Sequence, residues 1–412
     1  MSGSGYAVKR SFVQHRLFGG KRPLLGHLDI ELTERCNNAC MHCYINLPAH
    51  DARAAHRELT AEQWNDILRQ AADLGALSVR FTGGEPLLRP DFAEIYLGAR
   101  RLGMKVFLFT NARLITPELA DLLARVPPLM KVEISVYGMH AESYDAVACA
   151  RGAFAEFRRG LHLLAERQIP FVVKSVLLPP NRAEIDEFEA WAATIPWMDR
   201  DPGYAIYLSL RTRRDSPAKN RQIAALRFSP EAGVALEARN EEAYRRGMEE
   251  FNAKFTGPQG DRLFTCGAGE AGCVDAYGAY QMCMLLRHPD MVYDLKQGTL
   301  RGALTDVFPR FRELRATNPA YLNRCARCFL RGLCEQCPGK SWAEHGTLDT
   351  PVEYLCQVAH AQARFLGLLA EGERAWDTAD WRQRIETVRQ KTQATGWDTS
   401  RASVSSGGGG EQ

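Results

Sequence analysis

Cys36, Cys40 and Cys43 fall on one short stretch, ERCNNACMHCY, spaced C-x3-C-x2-C. Three thiolates on a tight loop can hold three irons of a 4Fe–4S cube, leaving the fourth iron open to a small chelating ligand. A structural zinc site would instead take four ligands, often from paired C-x2-C units. His42 could supply the fourth, so zinc stays open for this loop alone. Further along, RFTGGEPLL sets Gly83 and Gly84 before Glu85. Glycines let a backbone approach a ligand closely, and Glu85 offers a carboxylate to a cationic amine. A glycine pair after a strand is by itself usually a turn; its weight comes from following the cysteine loop by one strand.

A second group of cysteines lies near the C-terminus. Cys266, Cys273 and Cys283 come first, the last in a G-x4-C unit starting at Gly278. CARCFLRGLCEQC follows, with Cys325, Cys328, Cys334 and Cys337 spaced C-x2-C-x5-C-x2-C, and then Cys356. Eight thiolates suffice for two fully ligated cubes at four each, although paired C-x2-C units also build zinc ribbons. The chain has 12 cysteines, so the two groups leave only Cys149. Cys149 reads as a small buried residue, with a catalytic thiol as the alternative because it follows the fourth strand.

Alternating strands and helices must position these loops. The β-rich runs His27–Thr33, Ser78–Thr82, Lys105–Thr110, Lys131–Tyr137, Phe171–Leu178 and Tyr204–Leu210 read as strands. Between them, Thr60 and Gln63 make a capping-box pattern before a helix carrying Trp64, Ile67, Leu68, Ala71 and Ala72, ended by Gly75. Thr116-Pro117 opens another helix. Strand–helix repeats imply parallel strands with helical crossovers. Six such units predict an α/β fold, a partial (β/α)6 barrel with its chemistry at the C-terminal strand ends. The basic stretch 211–228 reads as a solvated loop or as a lip for an acidic or extended substrate. Residues 230–254 read as one helix and 352–371 as another, and the tail from Thr399 as disordered.

The cysteine loop after the first strand and the GGE after the second resemble the radical S-adenosylmethionine (SAM) superfamily, over about residues 27–356. The resemblance implies a cluster at Cys36, Cys40 and Cys43 whose free iron binds SAM. Cleavage of SAM there yields a 5′-deoxyadenosyl radical that abstracts hydrogen from substrate. It also implies that Gly83, Gly84 and Glu85 hold the SAM amino group, with Thr110, Asn111 and Ser135 beside the cofactor and Lys174 and Ser175 as further candidates. His42 stands where the family usually has an aromatic residue near the adenine. Many relatives carry an arginine for the SAM carboxylate; that register falls near Ala148, and Arg151 is the substitute.

The later cysteines resemble the SPASM extension of radical SAM maturases, with C-x2-C where that pattern ends in C-x3-C. The resemblance implies two auxiliary 4Fe–4S clusters, making three in all. Cys266, Cys273, Cys283 and Cys337 would hold the nearer one, and Cys325, Cys328, Cys334 and Cys356 the outer. The divisions that follow are a lead-in (1–26), a barrel core (27–228), a linking helix (229–261), a small cysteine-rich C-terminal extension (262–371) and a C-terminal helix and tail (372–412).

Composition bounds the rest. The 412 residues carry a net charge of +3, with 45% hydrophobic and 25% charged residues. No strong field marks a nucleic-acid binder, and no apolar run is long enough for a membrane span. Without a signal-peptide pattern a cytoplasmic location follows, where the cysteines are metal ligands rather than disulfides. The resemblance implies oxidative modification or cross-linking of a ribosomally made peptide or protein, with a flavodoxin or ferredoxin as electron donor. The 26 residues before the first strand are short for a leader-binding domain, so a separate leader-binding protein is expected. Met284, where sulfatase-activating enzymes carry an aspartate after the cysteine, argues against hydroxyl oxidation. The alternatives are radical oxidation of a small molecule, such as a tetrapyrrole side chain or a sugar alcohol, and a non-catalytic iron–sulfur electron carrier.

Overall fold

A computed structural model describes residues 24–253 and 257–394. Most of the expected lead-in, and the tail from Thr399, lie outside the described residues.

Six parallel strands stand side by side in chain order: β1 (His27–Thr33), β2 (Ser78–Gly83), β3 (Lys105–Thr110), β4 (Val132–Val136), β5 (Phe171–Val176) and β6 (Gly203–Ala205). Helices such as Ala61–Asp73, Phe92–Arg101 and Ala153–Glu166 cross between them. Side chains alternate along each strand. Leu28, Ile30, Leu32, Val79, Phe81, Val106, Leu108, Val132 and Ile134 are buried in one continuous core with the helices. The expected capping box is present: Gln63 N–H donates to Thr60 Oγ1 at 3.3 Å, and Thr60 N–H to Gln63 Oε1 at 2.9 Å. Trp64, Ile67, Leu68 and Ala71 form that helix's buried stripe.

The sheet does not stop at β1. On its other side lie β7 (Cys273–Val274), parallel to β1, then the antiparallel β8 (Ala279–Gln281) and β9 (Val292–Asp294). The cysteine-rich region thus extends the barrel's own sheet, with Asp29 opposite Cys273. Nothing in the strand pattern announced this, because β7 has only two residues.

Three expectations need correction. The last strand is Gly203–Ala205 rather than 204–210. As an edge strand it has one partner, and β5 ends at Val176; Ile206, Tyr207, Leu208 and Leu210 stay buried by side-chain packing instead. Residues 230–254 form two helices, Pro230–Glu237 and Glu241–Ala253. Asn240 divides them by accepting from Ala243 N–H at 3.1 Å, an N-cap bond that competes with helix continuation. The stretch 211–228 is not a solvated loop: it contains the helix Pro217–Ala225, capped by Ser216, and Arg211 and Thr212 are buried.

Candidate active site

The cysteine loop leaves β1 at its C-terminal end and is stitched to β2. Gly84 N–H donates to Thr33 O at 2.7 Å and Glu85 N–H to Arg35 O at 2.9 Å. The glycine pair is needed for that approach. A Cβ on Gly83, whose φ is +122°, would meet Thr33 O at 2.1 Å, and one on Gly84 would meet Arg35 O at 2.3 Å. The loop's far side pairs with the helix Ala141–Ala148: Ala39 and Met41 N–H donate to Ala148 and Val147 carbonyls at 2.9 and 3.1 Å.

This brings Cys36, Cys40 and Cys43 within reach of each other's charge. Asn38 N–H donates to Cys36 Sγ at 3.4 Å and Asn46 N–H to Cys43 Sγ at 3.4 Å. Burial, then the charge of Cys43, pushes Cys40 up to about 12. Bare thiols at Cys36 and Cys40 stay protonated there, and a cation is what would hold them as thiolates. The three residues and their amide donors therefore fit an iron–sulfur cluster. His42 is kept neutral, lowered to about 4 by burial and then by Lys219, and it faces Tyr137 at 5.8 Å.

Glu85 is wholly buried beside the loop. Its Oε1 accepts from Leu87 N–H at 3.1 Å and Thr110 Oγ1 at 2.8 Å, and its Oε2 from Asn111 N–H at 2.8 Å. Three of about four acceptor positions are filled, so the carboxylate is fixed with room for one more donor. Burial raises it to about 7 against those bonds, and an ammonium would restore the charged form. Thr110 thus orients Glu85, while the Asn111 amide donates to Asn37 Oδ1 at 2.8 Å and faces Cys36 Sγ at 3.9 Å. Ser135 lies half-buried on β4. Ser175 donates to the Val136 carbonyl at 2.7 Å. Arg151 is exposed on the turn after Cys149. Cys149 is exposed too, not buried: it ends its helix at φ 47°, near Cys40 and Lys219.

Three cations that sequence reasoning left out of the site grip the cysteine loop. Arg113 donates to Asn37 O at 2.6 Å and pairs with Glu156 at 2.6 Å. Lys219 donates to Cys40 O at 2.9 Å. Arg211 reaches Asn46 O at 3.3 Å and is held by Asp215 at 2.5 and 2.8 Å. For Arg211 and Lys219 a basic run after the last strand was the signal; its target was hidden in the tertiary structure. Arg211→Ala is expected to destabilise the protein by about 2 kcal/mol, less than the ~3–5 of a fully buried pair because Asp215 is partly exposed. Thermal melting and iron retention after gel filtration check it.

Inside the sheet's concave face the lining is charged. His27 and Arg80 bracket Asp29 at 3.0 and 2.9 Å. Lys174 pairs with Glu133 at 3.2 Å and lies 3.6 Å over the Phe109 ring, whose other neighbour is Arg80 at 4.8 Å. Beside the cysteine loop, Arg287 joins Glu31, Glu34 (3.5 Å) and Asp275 (3.7 Å), and Arg213 pairs with Glu34. This buried network ties β1 and the loop to the segment after Cys283.

The later cysteines separate by position rather than by sequence order. Cys283, Cys337 and Cys266 feel one another's charge. Cys325, Cys328, Cys334 and Cys356 form a second set and line one cavity. Cys337 therefore leaves its sequence neighbour Cys334 and joins the earlier cysteines. Cys273, wholly buried in β7, lies among Glu31, Asp29, Arg287 and Asp275. Among the described residues no three His, Cys, Asp or Glu side chains converge tightly enough to enclose a single ion.

The radical SAM superfamily model matches residues 30–192. Mycofactocin maturase MftC of Mycobacterium tuberculosis is 30% identical over 334 residues, covering 78% of this chain and 80% of that protein. AdoMet-dependent heme synthase of Methanosarcina barkeri is 27% identical over 334 residues, covering 77% and 92%. Among solved structures, Streptococcus suis SuiB bound to precursor peptide SuiA superposes with a TM-score of 0.60 at 18% identity, over 81% of this chain and 76% of that one. The chain belongs to the radical SAM superfamily. With that membership come SAM and a 4Fe–4S cluster. No helix among the described residues is long and apolar enough to cross a membrane.

Proposed function

We propose that this enzyme is a maturase that oxidatively modifies or cross-links a ribosomally made peptide or protein. The observation that carries the reading is the pairing of the SAM-type cysteine loop with two further cysteine sets, one of which reaches the barrel's sheet at Cys273, in a chain that resembles a maturase along its length. When bound at Cys36, Cys40 and Cys43, the cluster and SAM supply the hydrogen-abstracting radical. Glu85, fixed by Thr110 and Asn111, receives the SAM amine, with Gly83 and Gly84 giving the backbone room to approach. Ser135 and Arg151 complete the cofactor contacts. Arg211, Lys219 and Arg113 hold the loop in place.

Two auxiliary clusters belong to this reading, one on Cys325, Cys328, Cys334 and Cys356, the other on Cys266, Cys283, Cys337 and Cys273. Cys273 lies opposite Gln281, two residues before Cys283, which supports it as the fourth thiolate. Cys273→Ser is therefore expected to lower iron content by one cluster's share; full iron would remove Cys273 from the set. A flavodoxin or ferredoxin supplies electrons in the cytoplasm, and a separate protein presents the substrate's leader.

The test is anaerobic co-expression with the short reading frame encoded beside this gene, followed by intact mass of the peptide. Loss of a pair of hydrogens, absent with Cys40→Ala, supports the proposal. Unmodified peptide of unchanged chirality, with SAM still cleaved, defeats it.

A second reading is oxidation of a tetrapyrrole side chain. It is favoured by the match along 92% of the heme synthase. Incubation with an iron tetrapyrrole bearing propionates, read by mass, separates the two.

A further inference from the structure

Cys266 differs from the rest of the inner set in how it is held. Cys273 is buried on β7, which pairs with β1 and β8. Cys283 comes two residues after Gln281, the last residue of β8. Cys337 precedes the helix Pro338–His345, and Gly339 on that helix lies so close to Leu285 that a Cβ there would meet the Leu285 carbonyl oxygen at 2.9 Å. Cys266 is exposed and belongs to no strand or helix.

Its loop is fixed from elsewhere in the chain. Gly269 N–H donates to the carbonyl of Met282, the residue before Cys283, at 3.0 Å. Arg312, at the end of the helix Phe308–Arg312, donates to the Cys266 carbonyl at 3.0 Å and to the Ala268 carbonyl. Arg331, on the turn Leu330–Gly332, donates from Nε and Nη2 to Thr265 Oγ1 at 3.2 and 2.7 Å. Its Nη1 donates to the Gln336 carbonyl at 2.6 Å. One guanidinium thus joins the residue before Cys266 to the residue before Cys337. Its donors form a rigid fork, so the two acceptors are set relative to each other. The Thr265 hydroxyl completes its bonding by donating to Gln259 Oε1 at 3.1 Å.

We propose that Cys266 is the last thiolate to close on the inner cluster, and that the bridge from Thr265 through Arg331 to Gln336 brings it there. Cys273, Cys283 and Cys337 are placed by sheet, helix and close backbone packing. Cys266 is placed by side-chain bonds at the surface, so iron enters and leaves on its side. Thr265 and Arg331 are positioning residues, since neither is a ligand. The inference rests on the reading that Cys266, Cys273, Cys283 and Cys337 hold a cluster.

The test uses anaerobically reconstituted holoenzyme. Iron and sulfide content comes first: fewer than three four-iron clusters in the unmodified protein overturns the reading underneath, and the inference with it. Release of iron to a ferrous chelator comes second, followed beside electron paramagnetic resonance of the reduced protein, with the inner signal assigned by its absence in Cys283→Ser. Thr265→Val removes the acceptor at an exposed residue and keeps its shape. It should release one cluster's share of the iron about tenfold faster, the lower end of what loss of an outer-shell partner costs a metal site. The inner signal should decay with that phase, while the outer and SAM-binding signals keep their rates. Thr265→Ser, which retains the hydroxyl, should behave as the unmodified protein. Arg331→Ala should speed the same phase, and adding Thr265→Val to it should bring no further increase, as for two partners in one bond. Unchanged release in Thr265→Val, equal release from the Ser and Val variants, or multiplying effects of the two substitutions overturns the proposal. If Thr265→Val cannot be loaded with the inner cluster while Thr265→Ser can, that supports it.

Discussion

Cys40→Ala should lower SAM cleavage by more than about a hundredfold, beyond the 10–100-fold that loss of an outer-shell partner costs a metal site. Cys40 is the middle thiol of the loop and is buried, at 4% exposure. Its neighbours are fixed independently of its side chain. Ala39 and Met41 stay bonded to the helix Ala141–Ala148, and the Cys40 carbonyl keeps Lys219. The backbone should therefore persist while the ligand set falls from three to two. The measurement is 5′-deoxyadenosine release under dithionite, beside far-UV circular dichroism. Retained folding with lost cleavage is the expected pair, and cleavage near that of unmodified protein would detach this loop from the chemistry.

Cys334→Ala should do the reverse: cleavage stays close to normal while modified product falls by more than about tenfold. Cys334 belongs to the outer set, whose other members are Cys325, Cys328 and Cys356. The Cys36–Cys43 loop draws its support from β2, the helix Ala141–Ala148, Arg113, Arg211 and Lys219, none of which includes this set. Losing a thiolate there should strip one cluster without loosening the SAM site. Comparing 5′-deoxyadenosine with modified substrate in the same reaction gives the ratio directly. If both fall together, the outer set is structural; if neither falls, it has no part in turnover.

The parts of this protein with a strong local signature were legible in its sequence. Five of the six barrel strands were found nearly to the residue because their alternation is dictated by one face packing on helices. The capping box at Thr60 and Gln63 is a local device and was equally visible. What escaped notice was set by tertiary contact. Arg211 reads as a loop cation until its partners near Cys43 are known. Cys149 reads as a core residue until its helix turns it outward. Glu85 reads as a free carboxylate, yet most of its acceptors are filled by Leu87, Thr110 and Asn111. The separation of Cys337 from Cys334, by contrast, was implied by the family resemblance, since spacing alone cannot orient the turn between them.

The two-residue strand β7 makes the cysteine-rich region a poor candidate for a removable cassette. It fills the side of β1 opposite β2, with Asp29 N–H donating to Gly272 O at 3.2 Å and Val274 in the same core as Leu28 and Ile30. A chain cut before Cys266 would bare that flank as an unpaired edge, which is an invitation to pair with another molecule. It would also strand Glu31 and Glu34 without Arg287. Shortening this enzyme should therefore yield a sticky, acid-lined fragment rather than a simpler radical catalyst. Any exchange of substrate-facing parts between relatives would have to carry β1 and the hairpin together.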